Sequence, residues 1–309
     1  MNTGAVILAA GHRSSITSFQ PMLPIGKTTA IRRIIITLQR AGVGPIVVIT
    51  GDQGEDVEKH ISKMRVICLR NEEYASSQMF DSICMGLNYI EDLCDRVLIM
   101  PVKVPMLLSE TIENIMKSTA PAACPVYNGK RGHPVMLTTE WIPRLLAYRG
   151  EFGLRSFLRE PEIYRELEEL QVKDQGIIIA VETDEDCKKV MESPSHRRIP
   201  IHGRASLFIE GDESFFGPEI AHFLELIDHT GSMQTACRQM HMSYTKGWKL
   251  IKTAEQNLGY PMLFTQSGGA EGGFSQLTPK TKEFLNRFLA MERELTDIVD
   301  QMFDKYFID

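Results

Sequence analysis

Long apolar runs are missing from this 309-residue chain, and no stretch approaches the length of a membrane span. The six cysteines are scattered without a C-x-x-C pair, so neither a disulfide framework nor a zinc knuckle is indicated. The first residues include no basic leader, and their apolar run over residues 5–10 is too short for the core of a signal peptide. These absences predict a cytoplasmic protein with no membrane partner.

Acidic side chains are absent from residues 230–254, although the chain as a whole has a net charge of −6. The cations of this stretch are Arg238, Lys246, Lys249 and Lys252. Because a Lys or Arg near the DNA backbone displaces condensed counterions, such a stretch is typical of a surface that contacts phosphates. Residues 199–309 together hold 10 Lys and Arg against 15 Asp and Glu, so we expect only one face of this region to bind DNA.

The N-terminal part of the chain alternates apolar runs with amphipathic segments. The apolar runs predict strands over residues 4–10, 44–51, 64–69 and 96–102. The amphipathic segments predict helices over residues 28–40, 55–63 and 79–89. This order indicates an α/β domain over residues 1–192 with a doubly wound, mostly parallel sheet, in which ligands bind beyond the carboxyl ends of the strands. The loop over residues 11–27 is the expected ligand-binding loop.

Several short motifs follow one another in this domain. They are L-A-A-G at residues 8–11, N-x-x-Y and S-I-x-x-G-L around Asn71, Ser82 and Gly86, G-H-P-V at residues 132–135, and G-E-F-G-L-R at residues 150–155. In this order they resemble the nucleotidyltransferases that attach CMP or GMP to molybdopterin. The resemblance implies a nucleotidyltransferase-like fold and a nucleotide or molybdopterin-type ligand. The residues it implies for ligand binding are Leu8, Ala9, Ala10, Gly11, Asn71, Ser82, Lys103, His133 and Glu151.

Three positions depart from that family's pattern. Ser15 lies where the family has its loop arginine, Gln20 replaces a lysine that would neutralise a triphosphate, and Lys103 replaces a magnesium-binding carboxylate. Glu182 remains as the one weak candidate for a metal ligand. Because nucleotidyl transfer depends on metal and cationic side chains to offset phosphate charge, we expect no transfer at a normal rate. Magnesium is expected only if the domain is active.

Two interpretations of Lys103 stay open. In the first, its ammonium pairs with Glu182 near the position of the lost metal, so that a nucleotide or molybdopterin nucleotide binds without magnesium and is not turned over. In the second, Lys103 is a solvated loop lysine in a domain retained for its fold.

A second domain is predicted over residues 199–309, after a polar linker at residues 193–198. Its pattern gives a hairpin around residues 210–213, helices over residues 218–230, 233–240 and 244–258, a wing hairpin over residues 261–277 and a long helix over residues 279–307. Ser232 and Ser243 are expected to cap the second and third helices. This is an α+β winged helix-turn-helix with a long C-terminal helix.

The recognition helix of such a motif enters the major groove by its first residues. The candidate DNA contacts are Ser243, Tyr244, Thr245, Lys246, Lys249 and Lys252. Ala236, Trp248 and Ile251 are expected to face the core instead. Apolar residues repeat at near-heptad spacing in the long helix, which predicts a homodimer formed through that helix.

Motif residues in this domain resemble the N-terminal DNA-binding domain of molybdate-responsive, ModE-type regulators. They are Phe216, Gly217, Pro218, Thr230, Gly231, Ser232, Ala236, Ser243, Tyr244, Trp248, the glycine-rich residues 268–273, Leu277 and Thr278. His241 stands where that family commonly has glycine, and we expect it to keep the turn in a left-handed conformation. Because the chain stops after the long helix, the family's molybdate-binding modules are not expected, which leaves the first domain as the sensor.

The two resemblances together predict a DNA-binding transcriptional regulator of molybdenum or molybdopterin metabolism. Its partners are expected to be double-stranded DNA and a nucleotide or molybdopterin-related small molecule. One alternative is an active molybdenum cofactor cytidylyl- or guanylyltransferase with an attached regulatory DNA-binding domain. Another is that the winged domain serves only for dimerisation or protein contact.

Overall fold

A computed structural model of the chain describes residues 1–11, 19–192, 201–266 and 274–307. The chain divides into two compact units, Met1–Ile199 and Pro200–Asp309. Within the described ranges, no helix combines the length and the apolar character that a bilayer-crossing segment needs. The predicted linker at residues 193–198 lies outside these ranges, as do Ser15 and the glycine-rich residues 268–273.

The first unit has an α/β structure. Its strands are β1 Thr3–Ala9, β2 Pro24–Ile25, β3 Thr28–Thr29, β4 Ile46–Thr50, β5 Ile67–Arg70, β6 Arg96–Pro101, β7 Ala122–Tyr127, β8 Lys130–Arg131, β9 Val135–Thr138 and β10 Leu167–Gln171. Its helices are α1 Ala30–Arg40, α2 Gly54–Ile61, α3 Met79–Ile90, α4 Ser109–Lys117, α5 Ile142–Ala147, α6 Leu154–Phe157, α7 Pro161–Glu166 and α8 Asp184–Glu192. Short 3-10 helices cover Gln20–Met22, Thr139–Trp141 and Gln175–Ile178.

The central sheet has the strand order β10-β7-β9-β6-β1-β4-β5, with β8 paired to β7. Strand β1 lies between β4 and β6 and is parallel to both. Strands β4 and β5 are parallel, as are β7 and β10. Strand β9 runs antiparallel to its neighbours β6 and β7. The predicted fold class, a mostly parallel α/β sheet followed by a helical C-terminal region, is confirmed.

Helices cover both faces of β1, whose residues are all buried. Ile7 points to one face, where it shares a core with Ile31 and Ile34 of α1. On the other face, Gly86 of α3 lies so close to Val6 that a Cβ on Gly86 would be 2.4 Å from the Val6 Cγ1. The absence of a side chain at Gly86 therefore allows α3 to pack directly against the central strand.

Four predicted boundaries in this unit were wrong by two residues or more. The strand expected from residue 44 begins at Ile46, the helix expected to end at residue 63 ends at Ile61, and the other two errors have a local cause. The strand expected over residues 64–69 begins only at Ile67, because Arg65 adopts a left-handed φ of 53° that ends the preceding turn. The helix expected from residue 28 begins at Ala30, because Thr28 and Thr29 pair as β3 with Pro24 and Ile25. These last two errors arise where a turn interrupts an apolar pattern.

The second unit begins with a small hairpin of β11 Ile209–Glu210 and β12 Ser214–Phe216. Helices α9 Pro218–Thr230, α10 Met233–Gln239 and α11 Tyr244–Leu258 follow. A second hairpin is formed by β13 Leu263–Gln266 and β14 Phe274–Leu277, and α12 spans Pro279–Phe307. Helices α10 and α11 thus form a helix-turn-helix that is followed by a hairpin and a long helix.

The predicted caps of this unit are present. The Ser232 Oγ accepts a hydrogen bond from the Thr235 N–H at 3.2 Å, and the Ser243 Oγ accepts one from the Lys246 N–H at 3.2 Å. Each serine satisfies one of the backbone donors that the start of a helix leaves unpaired. Between the helices, His241 has a φ of 49°, the left-handed conformation expected of it.

Trp248 was predicted to face the core, and this prediction was wrong because the side chain is 38% exposed. The inward position on α11 belongs to the preceding residue, Gly247, where a Cβ would be 2.6 Å from the Cys237 Sγ. One residue further along a helix points about 100° away, so Trp248 faces outward. The Lys252 Nζ lies over its ring, 4.7 Å from the centroid. Ala236 and Ile251 are buried as predicted.

The close approach of α3 to β1 gives a stability prediction. Gly86→Ala is expected to lower the free energy of unfolding of the first unit by about 1–3 kcal/mol, because the added Cβ overlaps Val6 in a packed core. Gly44→Ala is the matched control, since nothing lies within 4 Å of its Cβ position. Urea denaturation of both variants checks this, and equal losses for the two would contradict it.

Candidate functional site

The candidate ligand site lies at the carboxyl edge of the central sheet. Strand β1 ends there at Ala9, and β6 ends beside it at Pro101. Because β9 runs antiparallel to β6, with Val135 opposite Ile99, the residues just before β9 lie at this same edge. Lys103 after β6 and His133 before β9 are thereby brought together, although 30 positions separate them in the sequence.

The end of β1 contributes backbone rather than side chains. Leu8, Ala9 and Ala10 are buried, whereas Gly11 is exposed. The Leu8 carbonyl accepts a hydrogen bond from the Val102 N–H at 3.0 Å. The predicted ligand contacts at Leu8, Ala9 and Ala10 can therefore involve only the main chain, and the side chains belong to the core.

Asn71 and Ser82 hold a loop in place. The Asn71 Nδ2 donates hydrogen bonds to the Ser77 Oγ at 2.9 Å and to the Ser82 Oγ at 3.0 Å. The Asn71 Oδ1 accepts one from the Glu73 N–H at 3.0 Å. Asn71 and Ser82 are both buried, and the amide of Asn71 is engaged within the protein. The geometry assigns to them the positioning of the loop that follows β5.

Lys103 and Glu182 form an ion pair, with 3.1 Å between the Lys103 Nζ and the Glu182 Oε1. Their backbones are joined as well, because the Val181 N–H donates to the Lys103 carbonyl at 2.7 Å. The two side chains are 42% and 40% exposed, so the pair faces solvent. A pair this exposed adds at most about 1 kcal/mol to stability. The pairing expected in the first interpretation of Lys103 is present.

The segment that carries Glu182 is held by Asp186. The Asp186 Oδ2 accepts hydrogen bonds from the Glu182 N–H at 3.1 Å, the Thr183 N–H at 3.0 Å and the Thr183 Oγ at 2.8 Å. These bonds lower the pKa of the Asp186 carboxyl, the bond from the Thr183 hydroxyl contributing most. Glu182 is therefore presented to Lys103 from a fixed turn at the start of α8.

His133 is the third member of this group. Its Nδ1 is buried and has no hydrogen-bond partner. Burial, together with the nearby charge of Lys103, lowers the pKa of the imidazole to about 4. The ring is consequently neutral at physiological pH. A buried polar atom without a partner costs about 1–3 kcal/mol, which a ligand hydrogen bond can recover.

Two other predicted residues do not join the group. Glu151 is exposed in a turn beside Phe152 and makes no hydrogen bond or ion pair with any described residue. Gln20 is half-buried at the start of a 3-10 helix. The structure thus brings together Lys103, Glu182 and His133 and leaves Glu151 out of contact with them.

These residues do not fit the divalent cation that the nucleotidyltransferase resemblance implies. Across the described ranges, no three His, Cys, Asp or Glu side chains are arranged to hold a metal ion. A magnesium ion requires oxygen ligands, and the Lys103 ammonium is bound to the Glu182 oxygen that would supply one.

The candidate DNA interface lies on α11. Ser243, Tyr244, Thr245 and Lys246 are exposed at its start, although the Ser243 Oγ is engaged as the cap. Lys249 and Lys252 are exposed further along the same helix. The helix therefore presents hydroxyl, aromatic and cationic groups together at its N-terminal end and along one side.

Carboxylates that the sequence did not reveal bind two of these lysines. The Lys246 Nζ lies 2.5 Å from the Glu219 Oε1, and the Lys252 Nζ lies 2.6 Å from the Glu255 Oε2. Lys249 makes no ion pair within the part of the chain that the structure describes. The Glu255 contact has an i, i+3 spacing that a sequence can indicate, whereas the Glu219 contact depends on how α9 packs against α11.

The apolar side chains of the long helix α12 are buried near its start and exposed further along. Phe288 is buried against Phe216, with 4.9 Å between the ring centroids. Further along, Met291, Ile298 and Met302 are 57%, 51% and 53% exposed. The first part of the apolar stripe therefore completes the core of the second unit, and the later part is uncovered in the single chain.

Known proteins resemble separate parts of the chain. A family profile described as "MobA-like NTP transferase domain" matches residues 5–170. The bifunctional protein GlmU of Francisella philomiragia is 28% identical over 122 residues, which are 39% of this chain and 26% of GlmU. The molybdenum transport protein ModE of Azotobacter vinelandii is 28% identical over 82 residues, which are 26% of this chain and 30% of ModE. The chain thus spans less than a third of either relative.

Among solved structures, Rv0371c from Mycobacterium tuberculosis H37Rv superposes with a TM-score of 0.54 at 19% identity, covering 62% of this chain and 98% of that protein. Another structure of Rv0371c, with a TM-score of 0.51, is a complex with manganese. At this identity the likeness concerns the fold, which is that of the nucleotidyltransferases.

The neutral state of His133 gives a pH prediction. Its folded-state pKa lies below the unfolded value of 6.5, so the unfolded chain binds the extra proton and stability is lost as pH falls from about 6.5 toward 4. The loss should reach about 2 kcal/mol by pH 5. In urea denaturation at pH 7 and pH 5, His133→Asn should lose less stability than the unmodified protein. His241→Asn, at an exposed histidine, is the control, and identical pH dependence for His133→Asn and wild type would contradict the assignment.

Proposed function

The chain belongs, through residues 5–170, to the MobA-like NTP transferase domain family, and from that premise we propose that it is a DNA-binding regulator of molybdenum or molybdopterin metabolism. In this proposal the first unit binds a nucleotide or molybdopterin-type ligand without transferring it. The second unit binds double-stranded DNA through α11. The observation that supports binding without transfer is the Lys103–Glu182 ion pair, since the family resemblance puts Lys103 at the position of a metal-binding carboxylate that transfer needs.

The charges at the edge of the sheet support binding without turnover. Phosphoryl and nucleotidyl transfer depend on electrostatic stabilisation, because the protein has little covalent chemistry to perform. Lys103 and Glu182 cancel each other in charge, and Gln20 supplies none. A site of this kind can hold a ligand while leaving the charge of a transfer transition state uncompensated.

The DNA-binding part rests on α11 and on the similarity to ModE. Exposed residues from Ser243 to Lys246 begin a capped helix that follows a turn, which is how a recognition helix meets the major groove. The name of the relative, a molybdenum transport protein, suggests the molybdenum pathway. A cytoplasmic location is part of the same proposal.

A homodimer is part of the proposal. Met291, Leu295, Ile298 and Met302 are spaced by four, three and four residues, the spacing of a coiled-coil seam. Three of them are more than half exposed in the single chain, so a second α12 is the partner that fits them. Sedimentation of the purified protein as a dimer at micromolar concentration supports this, and a monomer would contradict it.

An active cytidylyl- or guanylyltransferase with an attached DNA-binding domain is the second candidate function. The family match itself favours it, since the family is named for NTP transfer. A transfer assay separates the two functions. With molybdopterin, magnesium and CTP or GTP, we expect no nucleotidylated pterin above the level without protein. Product that requires both magnesium and the protein would establish the second function instead.

The Lys246–Glu219 contact gives a prediction for DNA binding. Glu219→Gln should raise the affinity for duplex DNA at low salt roughly two- to fivefold, because it releases Lys246 from an exposed ion pair. Glu213→Gln makes the same change of charge in the exposed β11–β12 turn and should have less effect. Fluorescence anisotropy with a labelled duplex measures both. A protein that binds no duplex DNA at low salt would indicate that the second unit serves only for dimerisation or protein contact.

A further inference from the structure

The Lys103 ammonium has more hydrogen-bond donors than Glu182 accepts. An ammonium has three N–H donors, and Glu182 accepts one of them at 3.1 Å. Because the Lys103 side chain is 42% exposed, its remaining donors can reach a ligand from the solvent side. The bond from the Val181 N–H to the Lys103 carbonyl keeps both partners of the pair at the end of β6.

A second group at the same place lacks a partner. The Nδ1 of His133 is buried and makes no hydrogen bond, and His133 precedes β9 at the edge of the sheet where Lys103 follows β6. A neutral imidazole can either donate or accept a hydrogen bond, depending on its tautomer. An ammonium suits a phosphate group, and a neutral imidazole at the same edge suits polar atoms next to that phosphate.

We propose that the Lys103 ammonium takes the place of the divalent cation, so that the first unit binds a phosphate-bearing nucleotide without any metal ion. The inference rests on the proposed function, in which this unit binds such a ligand. An ammonium is a compact point charge that forms charge-assisted hydrogen bonds to phosphate oxygens. It differs from a bound metal ion in being permanently present, so ligand affinity is independent of the metal supply.

The low net charge of Lys103 and Glu182 also favours nucleotides with few negative charges. One ammonium already partnered by a carboxylate offsets little negative charge, so a triphosphate is poorly compensated. A nucleoside monophosphate or a phosphodiester of low charge suits the site better. The expected ligand therefore resembles a product of nucleotidyl transfer rather than its NTP substrate.

Calorimetric titration of the full-length protein with CMP, GMP, CTP and GTP tests this inference. At least one monophosphate should bind more tightly than its triphosphate, with a Kd that changes less than about twofold between EDTA and magnesium buffers. Lys103→Ala should weaken that binding roughly tenfold or more, the loss of a charge-assisted contact. Lys63→Ala is the control, because Lys63 is exposed just before β5, at the opposite edge of the sheet.

These titrations distinguish a failure of metal-free binding from a failure of nucleotide binding by the first unit. Nucleotide binding that disappears in EDTA overturns the metal-free site but leaves ligand binding by the first unit intact. No binding of any nucleotide in either buffer contradicts both. Binding that is unchanged in a folded Lys103→Ala variant, as judged by circular dichroism, overturns the role of Lys103.

Manganese binding gives a readout that needs no nucleotide. In Lys103→Asp a new carboxylate stands beside Glu182, and the variant should bind one Mn²⁺ that reduces the free-ion EPR signal. Wild type and Lys63→Asp should leave that signal unchanged at submillimolar Mn²⁺. Stoichiometric Mn²⁺ binding by the wild type that is lost in Glu182→Gln would overturn the inference.

Discussion

The burial of β1 on both faces is the constraint on which the first unit depends. A parallel strand covered on both sides needs helices packed closely against it, and Gly86 makes the approach of α3 possible. Once β1 is fixed between β4 and β6, the ends of these strands meet at one edge. The reversed strand β9 then returns His133 to that edge, beside Lys103. The position of the candidate site is thus a consequence of strand order and direction.

The charged groups at the carboxyl edge of the sheet determine which chemistry this edge supports. The same fold supports nucleotidyl transfer when it holds a metal ion and cationic side chains, because fold and function are separable. In this chain an ion pair and a neutral imidazole occupy the edge instead. Binding needs only complementary contacts, whereas transfer needs extra stabilisation of the transition state. Under the proposed function, this change in charge keeps ligand recognition and removes turnover, while the packing beneath the edge is unchanged.

Much of the fold and some of the site could be predicted from the sequence. Apolar runs located β1, β4 and β6, because a strand buried on both faces is apolar throughout. The caps at Ser232 and Ser243 were predictable because a cap is a local interaction. Motif resemblance pointed to Lys103 and Glu182, and the structure places them in contact.

The remaining features depend on contacts between distant segments. The exposure of Trp248 follows from the close packing of Gly247 on Cys237, which periodicity alone does not reveal. The pairing of Lys246 with Glu219 joins two helices. The buried Nδ1 of His133 lacks a hydrogen-bond partner because of how distant segments pack around it. Each of these is a property of three-dimensional neighbours and carries no signal in the local sequence.

If the protein is the regulator proposed above, a ligand bound to the first unit changes the affinity of the second unit for DNA. This coupling is tested most directly by measuring the affinity of the full-length protein for duplex DNA in EDTA, with and without a saturating nucleoside monophosphate. We expect the ligand to change the DNA affinity by about fivefold or more in either direction, since coupling between two sites amounts to about 1 kcal/mol or more. An identical DNA affinity with the ligand demonstrably bound would contradict it.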